Sequence, residues 1–183
     1  MSIFTNPASS SKEDAAAYTA ALLGLLGSQD PVTVLEQTAG LLQDLIAGAP
    51  AERLAQPEAP GKWSVRQVLA HLADAELVGG WRYRMILAHD RPQIQGYDQD
   101  AWANSMWYDE VEPAVSLETF GALRRANLRL IRRATPAELR RVGVHAERGE
   151  ESIEHLVKLY AAHDLLHRNQ VTRILSGIAA PAY

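Results

Sequence analysis

Apolar positions recur at three- and four-residue intervals along most of the chain, the spacing that gathers them on one face of an α-helix. The clearest stripe is Val65, Val68, Leu69, Leu72, Ala75 and Val78. It opens on a marked start, because Ser64 and Gln67 fit a capping box and Trp63 can pack on Val68 as a hydrophobic staple. The pattern predicts a helix over 64–88, running through Gly79 and Gly80, whose small size permits close packing. A helix over 31–47 takes Asp30 as its N-cap with Pro31 in its first turn, and stops before Gly48. A second staple, Val115 and Phe120 around Ser116 as the cap, starts a helix over 117–134. Thr135, Pro136 and Glu138 repeat the capping grammar for a short helix near Arg141. The last helix, 152–176, carries Leu156, Leu159, Leu166, Val171 and Ile174 and ends at Gly177. An alanine- and leucine-rich N-terminal helix over 15–26 stops at Gly27.

Strand signals are nearly absent, since valine and isoleucine fall at helical spacing and no Asn-Gly or Asp-Gly turn separates alternating segments. The expected fold is all-α: a four-helix bundle over 31–47, 64–88, 117–134 and 152–176, plus the additional N-terminal helix. Between the first two lies a connector, 51–61, with Pro57 and Pro60 and room for a short helical turn. Between the second and third bundle helices lies a long crossover, 89–115, too long for a tight turn. It carries Tyr97, Trp102, Trp107 and Tyr108; the last three are candidates to wall a pocket or to pin the crossover to the bundle.

Length and composition narrow the picture. The 183 residues suit one domain, 1–183, with residues 1–10 expected to be disordered. A net charge of -4 and a pI near 5.9 argue against nucleic acid or an anionic membrane as the main partner. The pairs Arg124–Arg125, Arg132–Arg133 and Arg140–Arg141 lie among or near Glu118, Glu138, Glu147, Glu150 and Glu151, and read as a solvated helix face. The absence of cysteine excludes disulfides, iron–sulfur ligation and a cysteine nucleophile. A cytoplasmic protein is expected, as no signal-peptide pattern opens the chain and the longest apolar run, 18–26, falls short of a membrane span.

Candidate chemistry gathers on histidine. His163 and His167 stand four residues apart inside the buried stripe of the last helix, so both imidazoles can reach one metal ion from adjacent corners. His71 sits on the core stripe of the second bundle helix, beside Val68, Leu72 and Ala75. If that helix faces the last one, three histidines meet and leave an open position, the pattern of a catalytic divalent site. Asp74, one turn from His71, and Glu76 are candidates to orient an imidazole, with Glu76 also a candidate catalytic carboxylate. His145, in the segment 143–149, is a candidate proton carrier if that loop bends over the site. Otherwise it is a surface histidine, as His89 and His155 are expected to be. Asp164 projects about 100° from His163 and is expected to be peripheral to the metal. Arg82 and Arg84 flank Tyr83 and are candidates to bind an acidic substrate.

The run Pro60-Gly61-Lys62-Trp63-Ser64-Val65-Arg66-Gln67-Val68-Leu69-Ala70-His71-Leu72-Ala73-Asp74-Ala75-Glu76, followed far downstream by His163-Asp164-Leu165-Leu166-His167, resembles the DinB/YfiT-like superfamily of metalloenzymes. The resemblance covers about residues 30–175. It implies a four-helix bundle with a crossover between its second and third helices, often dimeric. It also implies a divalent metal, zinc or nickel, on three histidines matching His71, His163 and His167. Relatives include thiol transferases that use bacillithiol or mycothiol, and a mycothiol-dependent maleylpyruvate isomerase. The expectation is therefore a metal-dependent enzyme that transfers an external low-molecular-weight thiol to an electrophilic small molecule, with a homodimer as its assembly. The alternatives are a metal-dependent hydrolase and a non-catalytic metal-binding stress-response module.

Overall fold

The computed structural model describes residues 12–177, so the expectation for residues 1–10 lies outside the described residues. Eight helices appear among them: α1 (Lys12–Leu26), α2 (Pro31–Ile46), α3 (Ala51–Ala55), α4 (Val65–Ala88), α5 (Gln99–Ser105), α6 (Pro113–Arg133), α7 (Pro136–Leu139) and α8 (Ile153–Ser176). Helices α2, α4, α6 and α8 form the bundle: α4 packs on α6 and α8, α2 packs on the same two, and α1 lies along α8.

The caps explain most of these boundaries. Asp30 accepts from the Thr33 N–H at 2.8 Å with Pro31 in the first turn, and Ser64 and Gln67 close a reciprocal capping box. Gly27, Gly48 and Gly177 take positive φ just past the ends of α1, α2 and α8. One start differs from expectation. Helix α6 begins at Pro113, with Glu112 as its N-cap residue, so Ser116 is an interior helical residue and Val115 points to solvent. Proline fits the first turn because its missing N–H has no helical partner there in any case, and that preference outweighs the serine signal three residues on.

Strands are the second difference. A small sheet joins β1 (Gln93–Ile94), β2 (Val142–His145) and β3 (Gly149–Ser152) in that order, β1 parallel to β2 and β2 antiparallel to β3. The hairpin turns through residues 146–148 and closes on Gly149 at φ +79°, a positive-φ position open to glycine without the cost other residues meet. Four-residue strands without an Asn-Gly turn leave little trace in a hydrophobic pattern. The sheet ties the crossover to the segment that feeds α8.

The bundle interior is layered. One apolar cluster includes Leu35, Tyr83, Ile86, Leu128, Ile131, Leu156 and Leu159. The other, toward the opposite end, includes Leu42, Val65, Val68, Leu69, Leu72, Phe120, Val171 and Ile174. Each long helix passes from one cluster to the other, and at the transition each contributes to a buried polar layer. Arg124 of α6 binds Asp164 of α8 at 2.5 and 3.0 Å, Glu76 of α4 at 2.9 Å, and the Leu35 carbonyl of α2 at 2.8 Å. Asn127 donates to Glu76 Oε1 at 2.8 Å and to its carbonyl at 3.1 Å. Arg124 is only 3% exposed, so it does not belong to the solvated face expected of the arginine pairs. It stands four residues after Phe120 and four before Leu128, on the buried stripe, with two carboxylates to balance its charge.

Helices α4 and α6 approach closely at Gly80, where a β-carbon would come within 2.4 Å of Asn127 Oδ1. At Gly79 it would meet the Tyr160 ring of α8 at 2.7 Å. The two glycines let three helices close around the polar layer.

Candidate metal centre

His71 projects from the middle of α4, and His163 and His167 project from successive turns of α8. Their Nε2 atoms converge: His163 lies 3.0 Å from His71 and 3.1 Å from His167. One ligand nitrogen from each of the three falls within 4.8 Å of the others, the one such group of metal-ligating side chains among the described residues. Tetrahedral coordination with metal–nitrogen bonds of ~2.0–2.1 Å separates its nitrogens by about 3.3 Å, close to the two distances from His163, so the three residues could hold one small divalent ion.

Two of the imidazoles meet a side chain from outside the group. His167 Nδ1–H donates to Gln170 Oε1 at 2.9 Å, which leaves the Nε2 lone pair facing the other two rings. His71 is fully buried, stands 5.0 Å from the Trp63 ring centroid, and has no hydrogen-bond partner at Nδ1 among the described residues. Such an orphaned nitrogen is costly unless the ring gains elsewhere, as it does when Nε2 binds a cation. Burial pushes all three histidines down: His71 well below its ordinary value, His163 to about 4 and His167 to about 3, with like-charge repulsion from neighbouring histidines or Arg124 adding to it. All three are neutral at pH 7, the state that binds metal. The residues present therefore fit a divalent cation.

The other candidates are placed elsewhere. Glu76, expected as a catalytic carboxylate, is instead 3% exposed and committed to Arg124 and Asn127. Asp74 accepts from the Tyr108 hydroxyl at 2.6 Å rather than from an imidazole. Tyr108 is buried and, through that bond, pins the crossover to α4, while Trp102 packs at a tilt on Tyr97 with centroids 4.5 Å apart. Trp107 is 63% exposed and is not among the residues lining the cavity at His163. His145 is neither a loop nor a surface residue. It is buried in β2 against Gly96 and lines a hollow beside the hairpin that shares Thr19, Glu147 and Arg148 with the wall of the cavity at His163. Asp164 does point away from the histidines, but into the Arg124 ion pair rather than toward solvent.

His163 opens onto a cavity of about 100 Å³ bounded by α1, α4, the crossover, the hairpin and α8. Its wall includes Tyr18, Ala75, Arg82, Tyr97 and Tyr160. Gln170 and Tyr160 went unremarked in the sequence, yet each lies three residues from a site histidine and so on the same helical face.

A family model for the DinB superfamily matches residues 34–171. The chain belongs to the DinB superfamily. Among its relatives, a protein of Oceanobacillus iheyensis named "Putative metal-dependent hydrolase OB0782" is 29% identical over 143 residues, covering 78% of this chain and 83% of that protein. The similarly named YfiT of Bacillus subtilis is 28% identical over 144 residues, 78% of this chain and 81% of its own. The solved structure of YfiT, described as an unusual four-helix bundle topology, superposes with a TM-score of 0.73 at 26% identity, over 80% of this chain and 86% of that one. No helix among the described residues is long and apolar enough to cross a membrane.

Proposed function

We propose that this DinB-superfamily protein is a divalent-metal-dependent enzyme that hydrolyses a small molecule at the open corner of a three-histidine site, with zinc or nickel as the ion. The observation that carries the reading is the convergence of three neutral imidazoles with no carboxylate among them. His71, His163 and His167 would hold the cation without neutralising its charge, and it would supply Lewis acidity that lowers the pKa of a water or thiol.

The chain's own residues do the rest. Gln170 fixes the His167 tautomer and Trp63 braces the His71 ring, so neither imidazole has to reorganise on binding. Leu156, Leu159 and Ala75 make part of the cavity wall apolar, a surface for the uncharged part of a substrate. Burial raises Tyr97 and Tyr160 above the ordinary tyrosine value, so both remain hydrogen-bond donors toward a substrate.

The names of the relatives favour water as the nucleophile. Transfer of an external low-molecular-weight thiol would use the same corner, and a chain without cysteine would have to receive that thiol from outside. Leu77 and Trp81, both exposed and one turn apart on α4, support a homodimer. Leu22 and Leu26 of α1 are buried in the core and add nothing to that face.

The test is turnover of aryl esters, amides and phosphate esters by chelator-treated protein, before and after restoration with zinc, nickel or manganese. A parallel assay supplies a low-molecular-weight thiol and an aryl halide. Hydrolysis that needs the metal and vanishes in His71→Ala is expected. Conjugation dependent on the thiol would shift the reading to transfer, and metal-independent turnover would overturn both.

A further inference from the structure

Arg82 stands apart from the other buried charges. Its side chain comes from α4 into the wall of the cavity onto which His163 opens, and the residue is 6% exposed. Of the five N–H donors of a guanidinium, Nη1 reaches the Tyr160 hydroxyl at 3.3 Å and Nη2 the Gln95 carbonyl at 2.5 Å. Nε is buried with no partner, and no carboxylate pairs with the group among the described residues. The buried Arg124, by contrast, is met by two carboxylates. A buried guanidinium with spare donors and no counter-ion is costly to maintain, and an anion entering the cavity would relieve it.

The neighbouring charges do not supply that anion. Arg148, on the same wall, is clasped by Glu151 at 2.7 and 2.9 Å. Glu147 also lines the cavity, with its carboxylate toward Gly96 and no ion pair to Arg82. Tyr160 connects the two ends of the space: its hydroxyl meets Arg82, and its ring lies 6.5 Å from the His163 ring. A ligand one tyrosine side chain long can therefore hold a charged group at Arg82 and place another group at the histidines.

We infer that Arg82, with the hydroxyl of Tyr160, forms an anion subsite, so that the substrate is a small molecule bearing a carboxylate or phosphate at the end remote from the reacting bond. The substrate assignment rests on the metal-enzyme reading above, but the subsite itself does not, because Arg82 touches none of the three histidines.

The experiment is calorimetric titration of the full chain, metal-free and zinc-loaded, with benzoate, benzamide, phenyl phosphate and inorganic phosphate. Metal-free wild type should bind benzoate or phenyl phosphate and not benzamide. Arg82→Gln should weaken that binding about tenfold or more, and Arg82→Lys by less, because the charge remains while the fork is lost. The stronger of the two aryl anions names the native group. A measurement on wild type alone guards against a variant that does not fold: the 15N resonance of Arg82 Nε should shift on adding the preferred anion. Equal affinity for benzoate and benzamide, an unmoved Arg82 resonance, or unchanged binding in Arg82→Gln would overturn the subsite. A chain that binds the anion through Arg82 but takes up no zinc would keep the subsite and sink the metal-enzyme reading instead.

Discussion

The Nε2 atoms of His71 and His163 lie 3.0 Å apart although 92 residues separate them in the chain. Helix α4 delivers one and α8 the other, and the polar layer around Arg124 sets where the two helices meet.

Gln170 orients His167 and does not itself reach the centre of the histidine group. Gln170→Leu should weaken zinc affinity about 10- to 100-fold. Loss of one partly exposed hydrogen bond should cost the metal-free fold only about 1 kcal/mol. Competition titration with a chromophoric chelator reads the first, and urea unfolding of metal-free protein the second. Unchanged affinity would mean that packing alone holds the His167 ring.

Arg124→Met should destabilise the protein by about 3–5 kcal/mol, because Glu76 and Asp164 would both be left buried without a cation. Replacing all three residues with apolar ones of similar volume should recover much of that loss. Urea midpoints of the single and triple variants decide the point, and a mild single variant would show that the layer is hydrated.

Two helical glycines should respond to alanine with opposite sign. Gly40 in α2 has open space where a β-carbon would go, so Gly40→Ala should stabilise by up to about 1 kcal/mol through helix propensity. Gly80→Ala should destabilise by about 1–3 kcal/mol, since it drives Asn127 off Glu76. Thermal melts of the two variants give the comparison.

Acid should unfold the metal-free protein through its histidines. His145 is held down to about 4 by burial, with Arg148 and Arg82 adding to it against the opposing pull of Glu151. His163 is held near 4 and His167 near 3. In the unfolded chain each titrates near 6.5. The unfolded state therefore binds more protons between about pH 6.5 and 4, and stability present above 6.5 is lost as pH falls through that window. Each such group contributes a slope of up to about 1.4 kcal/mol per pH unit. Urea midpoints at pH 7, 6 and 5 should fall together, and His145→Gln should make the slope shallower.

Much of this was legible in the sequence where a single helix carries the signal. The capping boxes at Ser64 and Thr135, the Asp30 cap and the His163–His167 pair depend on neighbours within one turn, and each stands as expected. Joining His71 to that pair needed the family resemblance, since no local pattern says which helices face one another. The buried role of Arg124 was hidden because arginine in a row of charges reads as solvated, and only its place between Phe120 and Leu128 hints otherwise. Glu76 and Asp74 were misjudged for a related reason: a carboxylate near a histidine in sequence has other partners in space, here Asn127 with Arg124, and Tyr108. The hairpin at 142–152 was missed because it is held by pairing with the crossover, a non-local contact.

The most direct test is metal content by mass spectrometry, on wild type purified without a histidine tag beside His167→Ala. The expected result is about one zinc, nickel or similar divalent ion per wild-type chain, and a variant that stays folded but loses it. A folded wild type that takes up no metal even after incubation with zinc, nickel and manganese would contradict it, and would make the three histidines part of the buried polar layer instead.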